Sequence, residues 1–219
     1  AASENFQNGS QDPFEWIDSF TNNDINTRLV IARFSGSPRF MRLNTHRGKL
    51  QIATAGQTSG HSAAQDAFGV AAAAWDACGG APFCTAAPVE TFSSDGPRKI
   101  FYQPNGTPIT PGNFLSTGGT VRQKPDITAA DGVSTATPGF DPFFGTSAAA
   151  PHAAAIAALM LSTNGSLTPA QIRQKLTSTT WDIEAPGVDR DSGAGILDAY
   201  AAVQAALPTT IPGDINGDG

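Results

Sequence analysis

The chain has 219 residues, of which 40% are hydrophobic and 15% are charged. This length allows one sizeable core, or one core with a small appendage. The net charge of −6 argues against a nucleic-acid partner, which would require a basic face. No run reaches the ~18 apolar residues that span a bilayer. Composition therefore favours a globular protein without a nucleic-acid partner or a membrane span.

Both ends of the sequence indicate a fragment. The chain begins at Ala1 with neither a Met nor a charged-then-apolar signal segment, and it ends at Gly219 within a repeat-like motif. We therefore expect the chain to be one part of a longer protein.

Residues 1–56 alternate between polar and apolar side chains and are rich in β-branched and aromatic residues. This pattern predicts a β-rich segment. After residue 57, HSAAQDA predicts a short helical turn and FGVAAAAW a buried strand. Residues 98–123 predict an extended excursion with a turn at Asn105-Gly106.

Three helices are predicted further along, at 146–163, 169–178 and 195–207. In the first, AAAPHAAAIAALML carries only one polar side chain, so we expect this helix to be buried on all sides. The second begins with Thr168 as N-cap and a capping box that Gln171 completes.

Cys78 and Cys84 are the chain's two cysteines. The Gly-Gly and Pro between them would let a disulfide close a tight loop, which would imply an oxidising compartment. Two free thiols are the alternative. A zinc site is not indicated, because no further Cys or His lies nearby.

Ser147 is the candidate catalytic residue. The ring of Pro151 would clash with the carbonyl of Ser147 if the helix extended far upstream, so Ser147 lies in or just before the first turn. Unpaired N–H groups and the positive end of the helix dipole meet there and can stabilise an oxyanion. The alternative is that Ser147 is only an N-cap.

The surrounding motif, FGTSAAAPH at 144–152, resembles the nucleophile motif of the subtilisin-like serine proteases, the subtilases. It is not the Gly-x-Ser-x-Gly elbow, because Ala149 stands where that motif has glycine. FSSDGP at 92–97 and KPDI at 124–127 resemble two further subtilase segments in the same order.

The resemblance covers residues 57–207 and includes VDRDSGAGILDA, which resembles the stretch that introduces the closing helix of the family's domain. It is greatest to a subtilase branch with an earlier β-rich insertion, which residues 1–56 could be. The implied fold class is α/β: part of a three-layer domain with a parallel central sheet and a buried nucleophile helix. We predict an insertion at 1–56, the C-terminal part of a catalytic domain at 57–208, and a linker from 209.

The resemblance also implies a mechanism. Ser147 would attack a peptide carbonyl, a histidine would take its proton, and an aspartate would orient that histidine. The backbone N–H of Ser147 would be one oxyanion donor, and an Asn side chain the other. No cofactor is required for this chemistry. The family's Asp, His and Asn motifs are not recognisable before Ser147, so we expect these three residues upstream of residue 1.

Five residues within the chain are of the right type for the catalytic Asp, the catalytic His or the oxyanion Asn, but none is predicted to fill these roles. Asp191 stands in the right tripeptide but after the serine, and His61 fits the family's later helix-and-strand segment better. His46 is predicted at the surface, and His152 belongs to the nucleophile helix, where the family uses it structurally. Asn8 lacks the context of the oxyanion asparagine.

Asp214, Asn216 and Asp218 begin a calcium-loop pattern that stops before its closing acidic ligand. The pattern resembles the start of a dockerin repeat, which implies calcium in the full-length protein and a cohesin-type or surface partner. A flexible acidic tail is the alternative.

The sequence thus predicts a secreted or cell-surface serine endopeptidase acting on proteins or peptides, of which this chain alone is inactive because its serine lacks a base. A pseudoprotease serving as an adhesion or scaffold module is the alternative. A third hypothesis, a carbohydrate or surface-attachment role for residues 1–56, rests on Trp16 alone.

Overall fold

The structure is a computed structural model of the chain. It describes residues 3, 5, 8, 14–18, 27–45, 50–79 and 84–208. The chain divides into two compact units, Ala1–Pro38 and Arg39–Gly219. In the described part of the first unit there is neither helix nor strand, and a local turn lets the Arg33 guanidinium donate to the Gly36 carbonyl at 3.1 Å.

The strands predicted within residues 1–56 are not formed in the described part of that segment, which comprises 14–18, 27–45 and 50–56. Val30 and Phe34 there are 77% and 95% exposed. An alternating pattern folds as a strand when one of its faces is buried, and these side chains have no core to cover. The proposed boundary between residues 56 and 57 stays a prediction.

The central sheet has the strand order β1-β4-β6-β5. The six strands of the described residues are β1 (Val70–Ala74), β2 (Arg98–Ile100), β3 (Thr120–Arg122), β4 (Ile127–Asp131), β5 (Thr180–Trp181) and β6 (Ile196–Leu197). β1 and β6 flank β4 in parallel, and β5 pairs antiparallel with β6. The register runs from Val70 opposite Ile127 to Ala74 opposite Asp131, so β1 and β4 end side by side.

The predicted excursion at 98–123 contains a separate antiparallel pair, β2 with β3. Its far end turns where the Gly106 N–H donates to the Gln103 carbonyl at 2.9 Å, as Asn105-Gly106 predicted. Phe101 lies between Phe40 and Phe114, with ring centroids 5.5 and 6.1 Å apart. These contacts give the excursion an aromatic cluster of its own.

Helix α1 spans Thr146–Thr163, as predicted. Its inner face packs on β1 and β4, where alanines allow close approach: Ala149 is fully buried and Ala153 nearly so. The expectation of burial on all sides is wrong, because Leu159 and Leu161 on the outer face are 55% and 41% exposed. Within the described residues, the sheet and the following helices cover only one side of α1.

The second and third predicted helices are α2 (Pro169–Ser178) and α3 (Ala199–Ala206). The capping box of α2 is formed in full, since Thr168 and Gln171 each accept the other's backbone N–H. α3 begins four residues later than predicted. Ile196 and Leu197 form strand β6 instead, and the Asp198 carboxylate caps the helix by accepting the Ala201 N–H at 2.9 Å.

The predicted helical turn near residue 60 is a short 3-10 helix, Gly60–Ala63. Cys78 and Cys84 are joined by a disulfide, with their Cα atoms 5.9 Å apart. Among the helices of the described residues, none has both the length and the apolar character needed to cross a membrane.

Candidate active site

Ser147 is the second residue of α1, and its side chain is exposed. The N-cap is Gly145, whose φ of 125° is a backbone conformation that residues other than glycine rarely adopt. Ser147 therefore does not cap the helix, and capping does not explain why a serine stands there. Within the described residues, no hydrogen bond of its hydroxyl is formed.

The backbone around Ser147 has the polarity that an oxyanion needs. The N–H groups at the start of a helix, here those before Ala148, have no intrahelical acceptor, and the positive end of the helix dipole lies among them. The helix ladder begins only with Ala148, whose N–H donates to the Gly145 carbonyl at 2.8 Å. The Ser147 N–H precedes that bond, as the oxyanion role would require.

The turn before α1 is tied to the carboxyl end of β4. The Val133 N–H donates to the Phe143 carbonyl at 3.2 Å, and the Phe143 N–H returns a bond to Val133 at 2.8 Å. Between them, the Ser134 hydroxyl donates to the Asp141 carboxylate at 2.9 Å. The loop that precedes the nucleophile thus begins and ends at one backbone pairing.

Asp131, the last residue of β4, makes the connection nearest to Ser147. Its Oδ2 accepts the Gly145 N–H at 2.6 Å, although 14 residues separate the two in sequence. The side chain is completely buried, and its Oδ1 has no hydrogen-bond partner in the described part of the chain. The sequence prediction did not include Asp131; the only signal for it was an acidic residue ending an otherwise uncharged strand.

The Asp131 carboxylate also acts on Glu90. Burial raises the pKa of the Glu90 carboxyl above its ordinary value of 4.5, and the nearby charges of Asp131 and Asp76 raise it further. The carboxyl groups of Asp131, Glu90 and Asp76 therefore make the region beside the nucleophile turn acidic. Such a concentration of like charge is common where chemistry is performed, although structural clusters produce it too.

A cavity of about 540 Å³ opens beside this turn. Its lining residues are Trp75, Asp76, Gly132, Val133, Ser134, Pro142 and Phe144. Phe144 directly precedes the N-cap of α1, so one wall of the cavity continues into the nucleophile turn. Its walls are largely aromatic and aliphatic.

Among the described residues, none of His61, His152 and Asp191 pairs with Ser147. His152 directs its Nδ1 to the Ala130 carbonyl at 2.7 Å, in keeping with a structural role, and His61 is exposed on the 3-10 helix. Asp191 lies at the surface beside the guanidinium of Arg190, 3.2 Å away. Asn8 belongs to the first unit.

His46 and the calcium-loop residues Asp214, Asn216 and Asp218 lie outside the described residues. The calcium site therefore stays a prediction.

The model of the subtilase family matches residues 22–195, which is well over half of the chain. The chain belongs to the subtilase family. This confirms the resemblance drawn from the nucleophile motif, and the parallel strands with packed helices confirm the α/β fold class.

Fervidolysin of Fervidobacterium pennivorans is 40% identical over 70 residues, which are 32% of this chain and 10% of that sequence. Its crystal structure, described as a keratinolytic enzyme related to subtilisin, matches with 27% identity and a TM-score of 0.39 over 66% of this chain and 20% of that one.

The psychrophilic subtilisin-like protease Apa1 from Pseudoalteromonas sp. AS-11 matches with 33% identity and a TM-score of 0.27, over 30% of this chain and 16% of that one. The chain thus spans a fifth or less of the length of these relatives.

Proposed function

We propose that this chain supplies the nucleophile of a serine endopeptidase, and that Ser147 is that nucleophile. The observation that carries the proposal is the placement of Ser147. It is exposed in the first turn of a helix whose N-cap is another residue, within a chain of the subtilase family. A serine there can attack a carbonyl from solvent while the neighbouring N–H groups face the oxygen that becomes negative.

The chemistry needs two further groups. The Ser147 hydroxyl attacks the peptide carbonyl only when a base removes its proton, and the same base then protonates the leaving amine. In the subtilase family, to which this chain belongs, a histidine is this base and an aspartate orients it. We propose that both, with the second oxyanion donor, lie in a longer protein upstream of Ala1, and that this chain alone does not turn over peptides.

The proposed substrates are proteins or peptides. We propose that the whole protein acts outside the cell or at its surface, and the disulfide between Cys78 and Cys84 supports this, because such bonds persist in oxidising compartments. Catalysis would need no cofactor. Calcium, and a cohesin-type or surface partner, are proposed for the C-terminal repeat that Asp214 begins.

The test compares the longer protein with this chain. Both are incubated with casein and with a fluorophosphonate probe that labels activated serines. In the longer protein we expect hydrolysis and labelling that Ser147→Ala removes by several orders of magnitude. Ser162→Ala, which changes an exposed serine of the same helix, is the matched control and keeps full activity. The chain alone is expected to give neither signal.

Two results would contradict the proposal. A longer protein without hydrolysis dependent on Ser147 would favour the alternative of a pseudoprotease acting as an adhesion or scaffold module. Labelling of Ser147 in the isolated chain would show that the base lies within it, and the proposed inactivity would be wrong.

A further inference from the structure

The N-cap of α1 lacks the usual local support. In a capping box, the third residue of the helix supplies a side chain that accepts the N-cap backbone N–H. Here the third residue is Ala148, which has no acceptor, and the N-cap Gly145 has no side chain. The Gly145 N–H is satisfied instead by Asp131 Oδ2 at 2.6 Å, from the end of strand β4.

This contact joins the central sheet to the start of helix α1. Asp131 ends a strand that parallel neighbours flank on both sides, and its side chain is completely buried. Gly145 has a φ of 125° and stands two residues before Ser147. A glycine in this conformation has few restraints of its own, so an acceptor fixed on the sheet determines where the first turn of α1 begins.

The burial of the Asp131 carboxylate is only partly compensated by hydrogen bonds. Its Oδ1 lacks a hydrogen-bond partner among the described residues, and the nearby Glu90 carboxyl carries a charge of the same sign when it is ionised. A buried carboxylate that lacks full pairing weakens a fold. A residue kept at such a cost is a candidate for function.

We propose that Asp131 is a positioning residue of the nucleophile turn: by accepting the Gly145 N–H, it fixes the backbone from which the Ser147 hydroxyl and N–H act. This inference rests on the proposed peptidase function. The working part of the side chain is its acceptor oxygen, because a negative charge this close to the oxyanion site opposes the charge that forms there. An amide at the same position can therefore replace the carboxylate.

The test uses the longer, active protein with the variants Asp131→Ala and Asp131→Asn. Alanine removes the acceptor, and asparagine keeps an acceptor oxygen with nearly the same shape. Displacement of a nucleophile by about 1 Å costs about 100-fold in rate. We therefore expect kcat of Asp131→Ala to fall by about that factor with KM unchanged. Fluorophosphonate labelling of Ser147 should slow in parallel, and Asp131→Asn should keep most of the wild-type kcat.

Three outcomes would overturn the inference. They are an unchanged kcat in Asp131→Ala, an equal loss of kcat in both variants, and a loss that lies in KM alone. An absence of Ser147-dependent hydrolysis in the wild-type protein would instead overturn the proposed function, and the inference with it.

Because Asp131→Ala could fail to fold, hydrogen exchange in the wild-type protein gives a second measurement. The bond to Asp131 predicts that the Gly145 amide is strongly protected from exchange. Exchange of that amide as fast as in an exposed loop would also overturn the inference.

Discussion

Strand β4 is bounded by two carboxylates with opposite surroundings: Asp126, whose side chain is 13% exposed, and Asp131, which is completely buried. Asp126, at the amino end, is neutralised twice: Lys124 Nζ lies 2.7 Å from one carboxylate oxygen, and an Arg173 nitrogen lies 2.7 Å from the other. The Gly69 N–H adds a third bond at 2.6 Å. The Arg173 guanidinium also stacks on the Phe68 ring, 4.1 Å from its centroid. Each oxygen of the Asp126 carboxylate thus lies beside a cation, although the Nη2 of Arg173 is buried without a hydrogen-bond partner among the described residues.

The carboxylate of Asp131, at the carboxyl end, receives one hydrogen bond, from the Gly145 N–H, and pairs with no cation among the described residues. In sheets with parallel strands, ligands bind outside the carboxyl ends of the strands. The difference between the ends therefore separates two uses of buried charge. The amino end uses it to hold elements together, and the carboxyl end carries an incompletely paired group next to the nucleophile turn.

The comparison predicts its largest effect for Asp126→Ala. This change leaves the Lys124 ammonium, which is 2% exposed, without a carboxylate and removes the acceptor of the Gly69 N–H. Breaking a buried pair by removing one partner costs about 3–5 kcal/mol. We expect the free energy of unfolding to fall by about that amount in urea denaturation.

Asp191→Ala is the matched control for that loss. It removes a carboxylate that is 41% exposed and that pairs at the surface with Arg190. Surface pairs of this kind contribute about 0–1 kcal/mol. If both variants lose the same free energy of unfolding, burial at the amino end of β4 does not distinguish Asp126 and the comparison fails.

Asp131→Asn is expected to have a smaller effect on stability. The bond to Gly145 becomes weaker when its acceptor loses the charge, by about 1 kcal/mol, and the cost of burying a carboxylate disappears. The two changes oppose each other, so the free energy of unfolding should stay within about 1 kcal/mol of wild type in the same urea titration. A loss as large as that of Asp126→Ala would show that both ends of β4 are structural.

Local signals explain which elements the sequence predicted. Helices α1 and α2 were placed at their observed ends, because Pro151 limits how far α1 reaches upstream and Thr168 with Gln171 forms a capping box. The sequence pattern predicts a helix from residue 195, where the structure has strand β6. Its two residues are strand because they pair with β4 on one side and with β5 on the other, and no local pattern shows those contacts.

In the candidate site, too, local sequence signals predicted one residue, and contacts distant in sequence concealed another. Ser147 could be found because its turn, its proline and its helix lie within a few residues of one another. Asp131 could not be assigned, since its role depends on a hydrogen bond across 14 residues that only the packing of α1 on the sheet creates. The exposure of Leu159 was missed because an apolar sequence does not show which neighbours cover it.

The smallest expected effect concerns Glu90 and depends on pH. Burial, then Asp131, then Asp76 raise the pKa of its carboxyl above 4.5 in the folded protein, so the folded state holds this proton more tightly than the unfolded state. Stability from the proton is fully present below pH 4.5 and is lost as the pH rises through the raised pKa.

Glu90→Gln, which is neutral at every pH, should therefore be slightly more stable than wild type near neutrality and equal to it below pH 4.5. Urea midpoints at both pH values measure this difference. In an Asp131→Asn background the gain should shrink, because one of the charges that raise the Glu90 pKa is gone. If the gain in stability from Glu90→Gln is as large in that background as in wild type, the Asp131 charge does not raise the Glu90 pKa, and the shift has another cause.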